Sequence, residues 1–231
     1  MNDLPLVKMQ EIASEKFDLA NFPVDFIANF IYHSLSFESQ NLTLEAVKNV
    51  LEDQPSTLEE KRVIAIKNYR KAIDFVFEKV KNKEDLDENA LKDLHEILMD
   101  EVNVGGLYRN VDISIQGSNH TPPGHLKVYD RMKKYFVTLA DYPTNTFDEI
   151  IEKAAFSLLQ LDKIHPFLDG NGKLARMVLN YHLLMNGLAP VVFPYTEKQY
   201  YFECIEEFKV NKSIACFKEY LIKLEKEALG V

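Results

Sequence analysis

Hydrophobic residues recur at helical spacing along most of the chain. The segment after Pro23 is a clear example, because its apolar residues fall on one face of a helix: Phe26, Ile27, Phe30, Ile31 and Leu35. The same spacing, interrupted by capping residues, glycine and proline, predicts further helices over residues 44–52, 57–81, 88–101, 126–140, 147–161, 172–185, 197–208 and 213–228. The pattern therefore predicts an all-α fold.

One short segment departs from the helical period. From Val111 to Gln116 apolar and polar residues alternate, and glycines lie on both sides of this run. Alternation bounded by turn residues predicts a short strand or β-hairpin. Because an isolated hairpin is only marginally stable in water, we expect this one to lean on the helices or to pair with something else.

Composition and charge exclude several classes of protein. Of the 231 residues 46% are hydrophobic, which suits a domain with a sizeable core, and no repeat or clear linker divides the chain. The net charge of −9 argues against a nucleic-acid or membrane-surface partner, which would favour a basic face. No apolar stretch approaches the length of a membrane span and no secretory signal is visible, so we expect a cytoplasmic protein.

The chain contains two cysteines, Cys204 and Cys216, and both fall in apolar helical patterns. One pair at this spacing does not indicate a disulfide framework. We therefore expect reduced thiols in the core.

Candidate chemistry concentrates between Ile164 and Arg176. This stretch combines a titratable base, a carboxylate, an amide, two glycines and two cations: His165, Asp169, Asn171, Gly170, Gly172, Lys173 and Arg176. A glycine-rich turn that leads into a helix presents free backbone N–H groups and the positive end of the helix dipole, which together bind anions. The combination is typical of phosphate chemistry.

This stretch has two other interpretations. A P-loop also places glycine and lysine before a helix, but here Phe167 occupies its first glycine position and Leu174 its Ser/Thr position. The preceding residues are helical in pattern rather than strand-like, which excludes the P-loop. The second alternative is that Lys173 and Arg176 pair with core carboxylates, since buried cations need compensation.

The stretch resembles the signature of the Fic domain, H-x-F-x-[DE]-G-N-G-[RK]-x-x-R. The matching residues are His165, Phe167, Asp169, Gly170, Asn171, Gly172, Lys173 and Arg176. The wider resemblance runs from about Leu94 to Leu224. It implies a Fic-type helical domain with a short β-hairpin flap beside the active site. We accordingly expect one unit over 1–231, with an N-terminal region (1–55) that holds an inhibitory helix and a Fic core (56–231).

Most Fic proteins transfer AMP from ATP to a hydroxyl of a target protein. The resemblance implies that His165 is the general base for a Ser, Thr or Tyr hydroxyl, and that Asp169 holds Mg²⁺ as cofactor. Gly170, Asn171 and Gly172 would form the anion hole for the α- and β-phosphates. The implied partners are ATP and a target protein with a surface hydroxyl; self-modification and a homodimer stay open.

Further contacts follow from the same resemblance. Lys173 belongs to the phosphate site, and Arg176 would hold the γ-phosphate. Tyr201 resembles the aromatic residue that lines the adenine pocket, although a half-buried core tyrosine is an equally good interpretation. The alternating segment resembles a flap that docks the target backbone by strand addition, through Ile113, Ser114 and Ile115.

Lys173 stands where arginine is commoner in the family. Lysine keeps the charge but loses the planar fork that binds phosphate with two donors. This departure leaves an alternative: a Fic-fold interaction module, or a variant enzyme that removes AMP or transfers another nucleotide or a phosphate. In Doc-type kinases a lysine replaces the second glycine, and the intact Gly172 therefore favours nucleotidyl transfer.

The segment Ser34–Ser39 resembles an inhibitory motif, [ST]-x-x-x-E-[GN], except that Ser39 replaces Gly or Asn. Glu38 lies near the C-terminal end of an apolar helix, where the dipole disfavours an anion, so it needs a cation. The resemblance names Arg176 as that cation, and Ser34 and Glu38 as the inhibitory residues. The pair would occupy the γ-phosphate position. A solvated glutamate at a helix end is the alternative.

Overall fold

The computed structural model describes residues 4–38 and 42–231. Over these ranges the chain forms ten α-helices: α1 Leu6–Lys16, α2 Val24–Ser36, α3 Leu44–Leu51, α4 Glu60–Asn82, α5 Glu88–Met99, α6 Val128–Asp141, α7 Phe147–Ile164, α8 Asn171–Met185, α9 Lys198–Asn211 and α10 Ala215–Leu229. Short 3-10 turns precede α6, at His125–Lys127, and α9, at Tyr195–Glu197.

The all-α prediction is confirmed, and nine of the helices fall where hydrophobic spacing placed them. Local capping explains several of the boundaries. Thr43 and Asp87 accept hydrogen bonds from the N–H groups of Ala46 and Ala90, and Thr146 forms a reciprocal capping box with Glu149. Helix α1 was not predicted. It buries only two residues, Met9 and Ala13. So few buried positions do not produce a hydrophobic pattern that can be recognised in the sequence.

Helix α8 is the centre of the fold. It contacts α7, α4, α5 and α2, and each of its residues from Lys173 to Leu183 is buried. A helix that is apolar around most of its circumference can be stable only when other helices surround it. The polar residues at its N-terminal end are therefore held inside the protein, which is where the candidate site lies.

The predicted β-hairpin flap is wrong. The described residues contain no strand, and residues 112–115 have no regular secondary structure. The alternation has another cause: Ile113 and Ile115 are half-buried while Asp112, Ser114 and Gln116 are exposed, so the segment buries one side without pairing as a strand. A turn at Gln116 and Gly117, with Ser118 N–H donating to the Ile115 carbonyl at 3.2 Å, ends the run.

The expectation of reduced thiols is also wrong. Cys204 of α9 and Cys216 of α10 form a disulfide, with their Cα atoms 5.2 Å apart. Helical spacing indicated that each cysteine faces the core. It did not show that the short connection between the two helices turns these faces toward each other.

Among the described residues, no helix combines the length and apolarity that crossing a membrane requires.

Candidate active site

Residues 165–170, which we call the motif turn, connect α7 to α8. His165 caps the end of α7 with a φ of 52°, and its N–H donates to the Leu161 carbonyl at 2.9 Å. Left-handed backbone is costly for a residue with a side chain, and such residues cluster at functional sites. This conformation turns the chain sharply between two buried helices and leaves the imidazole at their junction.

The amide of Asn171 closes the motif turn. Its Oδ1 accepts from the Phe167 N–H at 3.0 Å, and its Nδ2 donates to the Phe167 carbonyl at 2.9 Å. The side chain of Asn171 is buried, and these bonds engage both its oxygen and its nitrogen. Its backbone N–H is left at the first turn of α8.

Gly170 starts α8 in the left-handed conformation, with a φ of 74°. A Cβ atom at this position would lie 2.6 Å from the sulfur of Met99, so only glycine fits. The N–H groups of Asn171, Gly172 and Lys173 then point out of the first turn without carbonyl partners in the helix. They are the free donors that the predicted anion site requires, and we refer to them as the anion-binding end of α8.

His95 supports the motif turn from α5, a role that the sequence did not reveal. Its ring is fully buried and stacks on Phe167, with centroids 3.7 Å apart. Nδ1 accepts from the Gly106 N–H at 3.0 Å, so Nε2 carries the proton and donates to the Asp169 carbonyl at 2.9 Å. Burial lowers the pKa of His95, which favours this neutral form.

The Asp169 carboxylate lies at the surface beside the anion-binding end of α8. Its two oxygens accept from Gly170 N–H at 2.7 Å and from Asn103 Nδ2 at 3.1 Å. Burial opposes ionisation, but these hydrogen bonds and the charge of Lys173 lower its pKa overall. In the described part of the chain, no group of three or more His, Cys, Asp or Glu could hold a metal. One carboxylate suits Mg²⁺, which usually completes its shell with phosphates and water.

The His165 imidazole is half-buried and lies near a buried ion pair. Its Nδ1 is 3.4 Å from the Asp162 carbonyl, and the Asp162 carboxylate pairs with Lys209 at 2.6 Å. Burial lowers the pKa of His165, and Lys209 and Arg109 add to this, whereas Asp162 opposes it. No hydrogen bond within residues 4–38 and 42–231 occupies Nε2, so a neutral imidazole can accept a proton there.

Arg176 is buried and engaged by α2. Its Nε donates to Ser34 Oγ at 2.6 Å, and a second guanidinium nitrogen donates to the Ser34 carbonyl at 3.0 Å. Ser34 Oγ also bonds to the Tyr69 hydroxyl at 2.5 Å, and the guanidinium lies 4.9 Å from the centre of the Phe37 ring. Ser34 thus engages two of the three guanidinium nitrogens, and the third lies against the first turn of α8, 3.3 Å from where a Cβ of Gly172 would be.

Glu38 pairs with Lys173, at 2.5 Å, and not with Arg176 as predicted. The reason is the register of the two helices, which run antiparallel at this contact. Ser34 lies opposite Arg176, so the residue one turn later, Glu38, lies opposite the first turn of α8, where Lys173 is. Ser39, the motif position that departs from the family pattern, lies outside the described residues.

Known proteins resemble this chain in sequence and fold. Residues 85–183 match the model of the Fic/DOC family. This part of the chain is similar to Fic domains. The protein adenylyltransferase Fic of Drosophila grimshawi is 26% identical over 183 residues, which are 76% of this chain and 37% of that protein. Its namesake from Nematostella vectensis is 26% identical over 187 residues, 77% and 42% of the two chains. The chain thus spans about two fifths of the length of these relatives.

A solved structure shares the fold. The Fic domain containing signalling protein from Bacteroides thetaiotaomicron superposes with a TM-score of 0.83 at 20% sequence identity, and the match covers 97% of this chain and 94% of that one. The similarity therefore includes α1 to α3 as well as the residues that match the family model.

Tyr201 lies beside Arg176 rather than in an open pocket. It is buried, its ring centre is 4.9 Å from that of Phe37, and its hydroxyl is close to the guanidinium. Burial raises the pKa of Tyr201 to about 12. The exposed aromatic residue one position later, Phe202, faces a groove between α9 and the turn at Gly117. The groove residues are Gly117, Tyr195, Thr196, Lys198, Gln199, Phe202, Glu203 and Glu206.

The expected docking residues Ile113, Ser114 and Ile115 lie in the irregular segment just before Gly117, which lines this groove. The end of the segment is held by Glu206 of α9. Its carboxylate accepts from Ser118 Oγ at 2.7 Å and from the Asn119 N–H at 2.5 Å. Docking of a target on these residues stays a prediction.

Proposed function

We propose that the protein transfers AMP from ATP to a side-chain hydroxyl of a protein, and that α2 restrains this activity. One observation carries the proposal: the motif turn brings two features together. These are the half-buried imidazole of His165, whose Nε2 is open, and the anion-binding end of α8. The relatives named protein adenylyltransferase support the same chemistry.

In the proposed reaction, Nε2 of His165 accepts the proton of the acceptor hydroxyl. The oxygen attacks the α-phosphorus of ATP, and the bond between that phosphorus and the oxygen bridging to the β-phosphate breaks. Pyrophosphate leaves with the electron pair, AMP remains on the acceptor as a phosphodiester, and His165 later returns its proton to solvent. Because its pKa is lowered, His165 is neutral and ready to accept at neutral pH.

The phosphate chain would lie on the N–H groups of Asn171, Gly172 and Lys173, where the helix dipole adds to the attraction. A Mg²⁺ ion bound through Asp169 and the phosphates would neutralise charge on the departing pyrophosphate. We place the base of ATP in the groove beside Phe202, and we assign Tyr201 to holding Arg176 instead of contacting the base.

Inhibition, in this proposal, depends on two contacts between α2 and α8. Ser34 engages two guanidinium nitrogens of Arg176, the side chain that would otherwise hold the γ-phosphate, and Glu38 engages the ammonium of Lys173. Lys198 adds a third contact, because its Nζ donates to the Phe37 carbonyl at 2.6 Å and so joins α9 to the end of α2. ATP with all three phosphates in place would require α2 to move away.

The proposal can be tested with ATP labelled on either the α- or the γ-phosphate. Purified protein, its Glu38→Gly variant and Glu38→Gly with His165→Ala are incubated with Mg²⁺ and each label, using the protein itself and a mixed protein extract as acceptors. We expect the α-label to be transferred, more by Glu38→Gly, and not by the double variant. Transfer of the γ-label alone would indicate phosphoryl transfer, and transfer of neither would indicate an interaction module.

A further inference from the structure

Arg109 lies in the loop between α5 and α6, and the residue is only 3% exposed. Its donors reach three backbone carbonyls that are far apart in the sequence. Nε donates to His165 and one terminal nitrogen to Val111, each at 2.9 Å, and the other terminal nitrogen donates to Pro123. The backbone N–H of Arg109 also donates to the Pro166 carbonyl at 2.8 Å.

This cation is buried without a carboxylate partner. No ion pair joins Arg109 to an acid within residues 4–38 and 42–231, and Asp112, which raises its pKa from a distance, bonds to His125 instead. Burial lowers the pKa of Arg109. Burying a charge is costly unless hydrogen bonds compensate it. Three carbonyls supply that compensation, and only the planar fork of arginine points donors in three directions at once.

The three carbonyls define a specific connection. Val111 and Pro123 are the two ends of the segment that contains Ile113 to Ile115, and His165 is the residue with the open Nε2. Glu206 holds the same segment at Ser118 and Asn119 from the side of α9. The guanidinium thus ties both ends of the segment to the carbonyl of His165 itself.

We propose that Arg109 is a positioning residue that holds segment 111–123 in a fixed place relative to the imidazole of His165, so that an acceptor docked on the segment brings its hydroxyl to Nε2. We call the three bonds from the Arg109 guanidinium the clamp. The inference rests on the proposed function for the reaction, and on geometry alone for the clamp. Loss of the clamp affects the acceptor side of the site and leaves the phosphate-binding end of α8 intact.

The test compares Arg109→Gln and Arg109→Lys with the control Arg131→Gln, an exposed arginine on α6. The first measurement is hydrogen exchange of residues 111–123, which needs no activity. We expect faster exchange in Arg109→Gln, a smaller increase in Arg109→Lys and none in the control. Unchanged exchange in Arg109→Gln would overturn the clamp. Melting curves show whether each variant folds. If Arg109→Gln does not fold, the exchange of residues 111–123 in Arg109→Lys decides whether the clamp exists.

The second measurement is self-modification in the Glu38→Gly background, with α-labelled ATP and Mg²⁺. A misplacement of about 1 Å can cost roughly 100-fold in rate, so we expect a loss of that order in Arg109→Gln at saturating ATP. The KM for ATP should change by less than about threefold, because phosphate contacts are kept. A rise in this KM without a loss of maximal rate would overturn the positioning role.

The third measurement is the pH dependence of the same rate. The charged groups that face His165 are Asp162 of α7, Lys209 of α9 and Arg109. Removing one cation should move the acidic limb of the profile of Arg109→Gln to higher pH, and Arg109→Lys should restore it. An acidic limb that does not shift in Arg109→Gln would contradict the positioning role of Arg109. If the Glu38→Gly protein with Arg109 intact transfers no nucleotide, the proposed function fails, while hydrogen exchange still decides whether Arg109 holds the segment.

Discussion

Replacing Ser34 by alanine should activate the protein more than neutralising Glu38 does. Ser34 Oγ accepts from the charged Arg176 at 2.6 Å and bonds to the Tyr69 hydroxyl at 2.5 Å, all three groups being buried. The substitution leaves the bond from Arg176 to the Ser34 carbonyl in place. It therefore removes the side-chain contacts of the closed form without removing α2 or the backbone contact.

The size of the effect follows from burial. A buried hydrogen bond to a charged donor contributes roughly 2 kcal/mol, so the closed form should lose about that much relative to a form in which α2 has moved away. At about 1.4 kcal/mol per tenfold change, the open population rises roughly 30-fold as long as the closed form dominates the wild type. The pair of Glu38 and Lys173 is weaker, because the glutamate side chain is 44% exposed. It is worth about 1 kcal/mol at most, or roughly fivefold.

The assay is the initial rate of α-label transfer for Ser34→Ala, Glu38→Gln and a matched control, Ser36→Ala. Ser36 is on the same helix and is also buried, but its hydroxyl donates to the Tyr32 carbonyl at 2.7 Å and does not touch Arg176. We expect roughly 30-fold, fivefold and unchanged rates respectively. A Ser34→Ala rate equal to that of Ser36→Ala would refute the claim that Ser34 restrains Arg176.

Three further predictions concern the support of the site. Asn171→Ala leaves the N–H and carbonyl of Phe167 without partners, so the free energy of unfolding should fall by about 2–3 kcal/mol in urea titrations, against no more than about 0.5 for the exposed Asn145→Ala. His95 has a pKa below its ordinary 6.5 and must be neutral to accept the bond from Gly106. Its contribution to stability is therefore complete above pH 6.5 and is lost as the pH falls below 6.5. Urea titrations at several pH values should show this loss, and His95→Gln should make the free energy of unfolding less dependent on pH. Reducing the Cys204–Cys216 disulfide, or replacing both cysteines by serine, should lower the melting temperature by removing a cross-link that closes a short loop; an unchanged melting temperature would contradict the pairing.

Much of the fold could be predicted because the residues that set it act locally. The reciprocal cap of Thr146 and Glu149 starts α7, and Gly170 is required where α8 begins. The residues of the motif turn could likewise be located, because the signature is contiguous and each type has one plausible chemistry there.

The wrong predictions, the partner of Glu38 and the β-hairpin, share a cause. Both depend on how elements that are distant in the sequence pack against each other. Glu38 lies opposite Lys173 because of the register of α2 on α8, and nothing local in either helix sets that register. The alternating segment was assigned to a strand because alternation reports one-sided burial, whether or not a second strand is present.

His95 and Arg109 were missed for a different reason. Both bond to backbone N–H or carbonyl groups of other loops, and such partners leave no pattern of residue types in the sequence. A buried histidine at the apolar face of α5 resembles an ordinary core residue until its two ring nitrogens can be followed to Gly106 and Asp169.

The central claim is that the motif turn transfers AMP once α2 no longer holds Arg176. The most direct measurement is the intact mass of the Ser34→Ala, Glu38→Gly protein after incubation with ATP and Mg²⁺, beside the same protein carrying His165→Ala. We predict added mass equal to one or more AMP groups in the first and none in the second. An unmodified first protein, with no AMP on any protein of an added extract, or equal modification of both, would contradict the account.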